Sequence, residues 1–254
     1  LLSTTQLGNT AIGSFDRTGS YVLPTGFATG NYYLIVKVDL DNTIAEGNEN
    51  NNTVSRPITV TGLVCSGDVT LSSQAEVDAF PGCTVIDGDL LIQPPLGATT
   101  SDITNLSPLL SVTQINGGLV VATNRNLPNL HGLENITTAN RLVVTLCDEL
   151  ENLNELSNLE SELDDIFIMT NPGLLNLNGL ENIKATNGDF IISDNNALLN
   201  LDALSNQVAT GRVQINNNAA INSVSGLANL TTVQSDFIIS NCDALETLNG
   251  LQSL

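Results

Sequence analysis

Gly88-Asp-Leu-Leu-Ile92, Gly117-Gly-Leu-Val-Val121, Asn140-Arg-Leu-Val-Val144, Asp164-Asp-Ile-Phe-Ile168, Gly188-Asp-Phe-Ile-Ile192, Gly211-Arg-Val-Gln-Ile215 and Ser235-Asp-Phe-Ile-Ile239 decide how this chain is read. Their first residues lie 29, 23, 24, 24, 23 and 24 positions apart. A repeat with a period in the twenties marks a solenoid, in which each unit buries its apolar side only against the units before and after it. Leu133, Leu156, Leu180, Leu204, Leu227 and Leu251 keep the same beat. Leu130, Leu153, Leu177, Leu201, Val224 and Leu248 run three residues ahead of them. Each unit therefore holds one run rich in β-branched and aromatic residues, which favours a strand. A Leu-x-x-Leu segment follows, too short and too rich in Asn and Gly for a stable helix.

One turn position in each unit reads Asn124, Cys147, Asn171, Asn195, Asn218 and Cys242. A buried amide left unpaired costs about 1–3 kcal/mol, so identical polar groups stacked from unit to unit are the economical arrangement. These six residues are expected to form a buried ladder. Cys147 and Cys242 read as small, weakly polar members of it, not as redox or metal residues.

Strand alternation sends Leu119/Val121, Leu142/Val144, Ile166/Ile168, Phe190/Ile192, Val213/Ile215 and Phe237/Ile239 inward. The residue between each pair then faces out: Leu91, Val120, Val143, Phe167, Ile191, Gln214 and Ile238. All but Gln214 are apolar. Beside them runs a column containing Asp89, Arg141, Asp165, Asp189, Arg212 and Asp236. Two readings stand side by side. One is in-register stacking that stabilises the coil; the other is an apolar contact strip with a charged rim, the anatomy of a protein-contact surface.

The chain has 254 residues, a net charge of −20 and seven basic residues. Nucleic acid and anionic membrane surfaces need clustered Lys and Arg, so both are set aside as partners. No apolar run approaches the roughly 18–20 residues needed to span a bilayer. Position 1 opens without a Met, a basic region or an apolar core, and the chain stops at Leu254 partway through a unit, so both ends read as cuts in a longer protein. Cys65 and Cys83 flank one short segment before the first unit; a bridge between them would close a loop of about 19 residues, contribute about 3 kcal/mol and imply an oxidising compartment. Between them, Ser73-x-x-Glu76 is a capping-box pattern, and Ala75, Val77, Ala79 and Phe80 can form the apolar side of a short helix. That helix is expected to cover the open first unit.

Residues 1–61 lack the period and read as short strands separated by turns, part of a β-sandwich. Asp39, Asp41, Glu46 and Glu49 crowd one corner there. Ca²⁺ takes oxygen ligands, so this is the one candidate cofactor site; a solvated acidic turn is the stronger reading. Gly62 and the run to Cys65 read as a linker.

Catalytic chemistry finds little footing. His131 is the only histidine, which sets aside Ser-His-Asp, Cys-His and His-rich metal sites. Asp164, Asp165, Asp189 and Asp236 recur at strand starts, where a carboxylate pair could cleave sugars. The chain has no Trp, and its three Tyr all precede residue 34, so strand-edge solvation is preferred. Asn51, Asn105, Asn135 and Asn229 stand in Asn-x-Ser/Thr sequons that chance explains in so Asn-rich a chain.

Gly30-Asn-Tyr-Tyr-Leu-Ile-Val-Lys-Val-Asp39, Asn48-Glu-Asn-Asn-Asn52 and Ile58-Thr-Val60 resemble the last strands of CARDB-type adhesion domains, immunoglobulin-like modules of bacterial surface proteins. The segment from Cys65 to Cys83, Ile86-x-Gly-x-Leu-x-Ile92 and the units around Asn171-Pro-Gly-Leu174 resemble receptor L domains, including their bacterial branch. That resemblance implies a right-handed, leucine-rich β-helix closed by an N-terminal helix. The first unit departs from it by about five extra residues, placed at Pro94 to Asp102 and read as an idle insertion sooner than a recognition loop.

The sequence thus predicts an all-β chain. A partial immunoglobulin-like sandwich (1–61) precedes a receptor-L-domain-like right-handed β-helix (62–254) with a capping helix within 65–83. The expected role is non-enzymatic adhesion or recognition by an exported bacterial surface protein. Its partners would be a protein, a glycan or neighbouring copies, met through the outer sheet face; the alternative is a structural spacer or fibre subunit.

Overall fold

The computed structural model describes residues 30–37, 53–60, 62–183, 188–207 and 209–254. Strands β1 (Gly30–Lys37) and β2 (Thr53–Val60) form an antiparallel hairpin with Gly30 opposite Val60 and Lys37 opposite Thr53. The described residues from Gly62 onward form a parallel coil. It contains, in order, β3 (Val64–Cys65), β4 (Val69–Leu71), α1 (Gln74–Asp78), β5 (Val85–Ile86), β6 (Leu90–Ile92), β7 (Gln114–Ile115), β8 (Gly118–Ala122) and β9 (Arg141–Thr145). It continues through β10 (Asp165–Met169), β11 (Asp189–Ser193), β12 (Ala209–Thr210), β13 (Arg212–Asn216), β14 (Thr232–Val233) and β15 (Phe237–Ser240).

One sheet of eight parallel strands runs the length of this coil in the order β4-β6-β8-β9-β10-β11-β13-β15. Two narrower sheets, β3-β5-β7 and β12-β14, lie elsewhere around it. The fold is therefore the β-solenoid that the period demanded. The expected linker from Gly62 to Cys65 is shorter than read, because Val64 and Cys65 already pair with Val85 and Ile86 as a rung of the three-stranded sheet.

The inward residues behave as the alternation requires. Leu119, Val121, Leu142, Val144, Ile166, Ile168, Ile192 and Ile215 are fully enclosed, as are Leu130, Leu133, Leu153, Leu156, Leu201 and Leu204 on the opposite wall. Burying each such side chain contributes about 1.5–3 kcal/mol, gained only when the adjacent rung is present. The Leu-x-x-Leu segments turn in two ways. Ser107–Leu109, Asn154–Leu156, Asp202–Leu204 and Ser225–Leu227 form single 3₁₀ turns. In other coils a glycine turns instead: Gly132 and Gly179 adopt φ of +120° and +107°. A Cβ at either would come within 1.9 Å of the carbonyl oxygen of the preceding coil, so only glycine fits.

The N-terminal pole is closed. Ser73 caps α1, its hydroxyl accepting the Glu76 N–H at 3.3 Å, while the Glu76 carboxylate accepts the N–H of Ser72 rather than that of the cap residue itself. The helix is shorter than its apolar pattern suggested and ends before Phe80, but Val77 is fully buried over the first rung. Cys65 and Cys83 are disulfide-bonded. Gln74 ties the helix to the first coil, accepting from the N–H groups of Thr104 and Asn105 at 3.0 Å each.

Candidate functional site

The Asn/Cys column is a ladder with a direction. Asn195 Nδ2 donates to the carbonyl of Ile168 at 2.9 Å, and its Oδ1 accepts the backbone N–H of Asn171 at 3.0 Å. Asn218 repeats this against Ile192 and Asn195, and Asn171 against Val144 and Cys147. In these asparagine rungs the amide nitrogen and oxygen both bond to groups of the rung before, and Nδ2 of Asn171 and Asn195 also lies 3.2 and 3.3 Å from the next asparagine's Oδ1. Asn124, Cys147, Asn171, Asn195 and Asn218 are fully buried, whereas Cys242, in the last rung, is only partly so.

Cysteine fills the slot with a weaker set of bonds. The Cys147 thiol lies 3.7 Å from the carbonyl of Val121 and has no oxygen to offer the preceding rung. Burial pushes this thiol up to about 12, against the N–H of Asn124, which is aimed at the sulfur. It stays protonated and unreactive at neutral pH, as a structural residue should.

Immediately before each ladder residue stands one with a left-handed backbone: Thr123, Leu146, Thr170, Asp194, Asn217 and Asn241, with φ between 53° and 61°. For side chains such as Thr and Leu this costs about 1–2 kcal/mol apiece. The ladder bonds that follow hold the turn in place. In the first coil Ser101 takes the slot: its hydroxyl donates to Asn124 Oδ1 at 2.6 Å. The extra residues thus end just before Ser101. Their backbone is fastened by Arg125, whose Nε donates to the carbonyl of Thr99 at 3.0 Å and whose Nη1 pairs with Asp148. Leu96 projects fully into solvent.

A second asparagine ladder, on the outside, was not anticipated. Asn135, Asn158, Asn182 and Asn229 donate Nδ2 to the carbonyls of Leu110, Glu134, Ser157 and Ser205 one coil earlier, at 2.7–2.8 Å. Asn206 bonds to Glu181 in the same way. Their spacing of 23 or 24 was the available signal, lost among so many asparagines. Two of the sequon residues, Asn135 and Asn229, are therefore coil-forming side chains; Asn105 instead accepts the N–H and hydroxyl of Ser107. Asn51 lies outside the described residues.

The outer face of the eight-stranded sheet is in register across its whole width. Leu91, Val120, Val143, Phe167, Ile191, Gln214 and Ile238 stand in one line, strand by strand. At about 4.8 Å per strand the line is roughly 29 Å long. Val143, Phe167 and Ile191 are half-buried, and Ile238 keeps 41% of its surface. Val120 departs from the expectation: it is 8% exposed and adds little to any contact.

Beside this line the charged column does structural work as well. Asp68 Oδ1 accepts the N–H of Asp89, Asp89 Oδ1 that of Gly118, and Asp165 Oδ1 that of Asp189, at 2.7–2.9 Å. Arg141 lies over Gly118, where a Cβ would come within 2.9 Å of its Nε, and pairs with Asp89 at 3.1 Å. Arg212 pairs with Asp189 at 2.5 Å. Asp236 stands exposed at the end of the column.

His131 sits on the surface against Glu134. Burial pushes the Glu134 carboxyl up, but hydrogen bonds from its own N–H and that of Gly132, with His131 beside it, outweigh this, and it titrates below its ordinary value. The acidic corner of Asp39, Asp41, Glu46 and Glu49 lies outside the described residues. Among the described residues no His, Cys, Asp and Glu side chains gather in threes as a metal site would need. No helix among them is long and apolar enough to cross a membrane.

The described coil thus combines a disulfide-stapled cap, a leucine-lined parallel solenoid and a continuous outer sheet. The receptor L domain family model matches residues 82–209, half of the chain, and the chain belongs to that family. Residues 3–56 match the CARDB family, with which the β1–β2 hairpin is compatible as part of an immunoglobulin-like domain. No individual curated protein matches the chain significantly. Both families fit surface recognition or adhesion in general, and the disulfide fits an extracellular setting.

Proposed function

We propose that this chain is a non-catalytic recognition module of an exported cell-surface protein, which binds a macromolecular partner through the outer face of its eight-stranded sheet. Residues 62–254 act as the binding unit, and residues 1–61 as the end of an adhesion module that joins it to the rest of the surface assembly. The observation that carries the reading is the apolar line through Val143, Phe167, Ile191 and Ile238, where solvent alone would favour polar side chains. The carboxylates beside it support a non-enzymatic role, because Asp89, Asp165 and Asp189 are engaged as backbone acceptors or ion-pair partners. The reading calls for no cofactor.

The test is to present the chain to a glycan array and to immobilised extracellular proteins, with Phe167→Ser/Ile191→Ser as control. Capture should vanish in the double variant while its circular dichroism is retained. Capture that survives the substitutions removes the face from the mechanism. A second reading, a stiff spacer or fibre subunit, draws on the same in-register stacking and predicts no capture by either form.

A further inference from the structure

We infer that the partner of this face is a basic protein segment in which lysine or arginine side chains flank an apolar ridge; this rests on the outer face being the binding surface. The charged column beside the apolar line carries five carboxylates, from Asp68 to Asp236, against two guanidinium groups. Both arginines are already held within the face, Arg141 by Asp89 and Arg212 by Asp189. Among the described residues no ion pair engages Asp68, Asp165 or Asp236. The column on the other side of the apolar line, which includes Thr145, Met169, Ser193 and Asn216, is uncharged. An approaching surface therefore meets apolar groups along one line and unmatched negative charge along its flank.

Charge complementarity selects the occupant. With −20 on the whole chain and seven basic residues in it, a cationic partner is steered in from a distance and an anionic one is repelled. A second copy would set one net-negative column against another. A neutral glycan would find a single aromatic ring on the face, Phe167, and no Trp anywhere in the chain. A lysine or arginine, by contrast, can lie over the Phe167 ring with Asp165 two residues away on the same strand face, while its apolar neighbours cover Val143 and Ile191.

The experiment uses three synthetic peptides as probes: alternating Leu/Lys, alternating Leu/Glu and alternating Ser/Lys. Binding is measured by fluorescence anisotropy at two salt concentrations, and the chain alone is followed by sedimentation. Leu/Lys should bind best. Its affinity should fall about tenfold or more in Phe167→Ser/Ile191→Ser and again in Asp165→Asn/Asp236→Asn, and the latter should also flatten the salt dependence. Asn at 165 keeps the oxygen that accepts the Asp189 N–H, so this variant tests charge with the rung intact. Leu/Glu binding as tightly, or Leu/Lys binding that needs Phe167 but ignores the carboxylates, overturns the basic partner and leaves the face. Binding indifferent to Phe167 and Ile191 overturns both. A dimer that the Phe167/Ile191 variant abolishes makes a second copy the occupant and overturns the inference.

Discussion

The first rung of the solenoid and the rung at 235–251 are built from the same kind of unit and are packed differently. At the first, α1 and the Cys65–Cys83 bridge lie over the opening coil, and Leu71, Val77 and Ile86 are enclosed. At 235–251, Phe237, Ile239, Cys242, Leu245, Leu248 and Leu251, together with Ser240 and Asn241, line an open hollow of about 380 Å³. Their counterparts one coil earlier, Val213, Ile215, Asn218, Ile221, Val224 and Leu227, are all but fully buried. The consensus of a unit thus does not secure its own core; a neighbour or a cap on each side does.

That contrast can be broken at several strengths. Leu201→Ala, in an enclosed rung, should lower unfolding free energy by about 2–5 kcal/mol, whereas Leu248→Ala, at 59% exposure, should cost under about 1 kcal/mol by the same denaturant titration. Equal costs would mean that the two rungs are packed alike. Removing the staple with Cys65→Ser/Cys83→Ser should cost about 3 kcal/mol and let hydrogen exchange begin at the first rungs as well as the last.

Within the ladder, Asn195→Ala leaves the Asn171 N–H and the Ile168 carbonyl without their partner, at about 1–3 kcal/mol. Conversely, Cys147→Asn should add about 1 kcal/mol by giving the Asn124 N–H an oxygen; a loss of stability there would refute the account of the cysteine rungs. The smallest effect concerns pH. Because the folded Glu134 carboxyl titrates below its ordinary value, its contribution is present above the unfolded value and lost as pH falls through the folded one. Glu134→Gln should therefore flatten a shallow acid-side slope in thermal unfolding and leave the neutral-pH slope unchanged.

The leucine and strand periods were legible because burial repeats every 23 or 24 residues and admits few residue types. The Asn/Cys column was legible for the same reason. Other features carried no such signature. The left-handed column is filled by Thr, Leu, Asp and Asn, so no glycine pointed to it. Ser101 stands 23 residues before Asn124, on the ladder's own period, but 13 residues after Gly88 where the other units have 7, so counting from the strand start misses it. The outward stripe was readable from alternation, but the enclosure of Val120 was not, since alternation fixes direction and not what lies alongside. Asp165 could be placed at a strand start, yet its service to the next strand's N–H emerges only from the register.

The side chains of Asn171, Asn195 and Asn218 each hold an N–H and a carbonyl of the coil already laid down. Such a chain has a growing tip. In a chain made from its N-terminus, each new asparagine turn delivers the side chain that completes the one before it. Assembly can keep pace with emergence and need not wait for the far end.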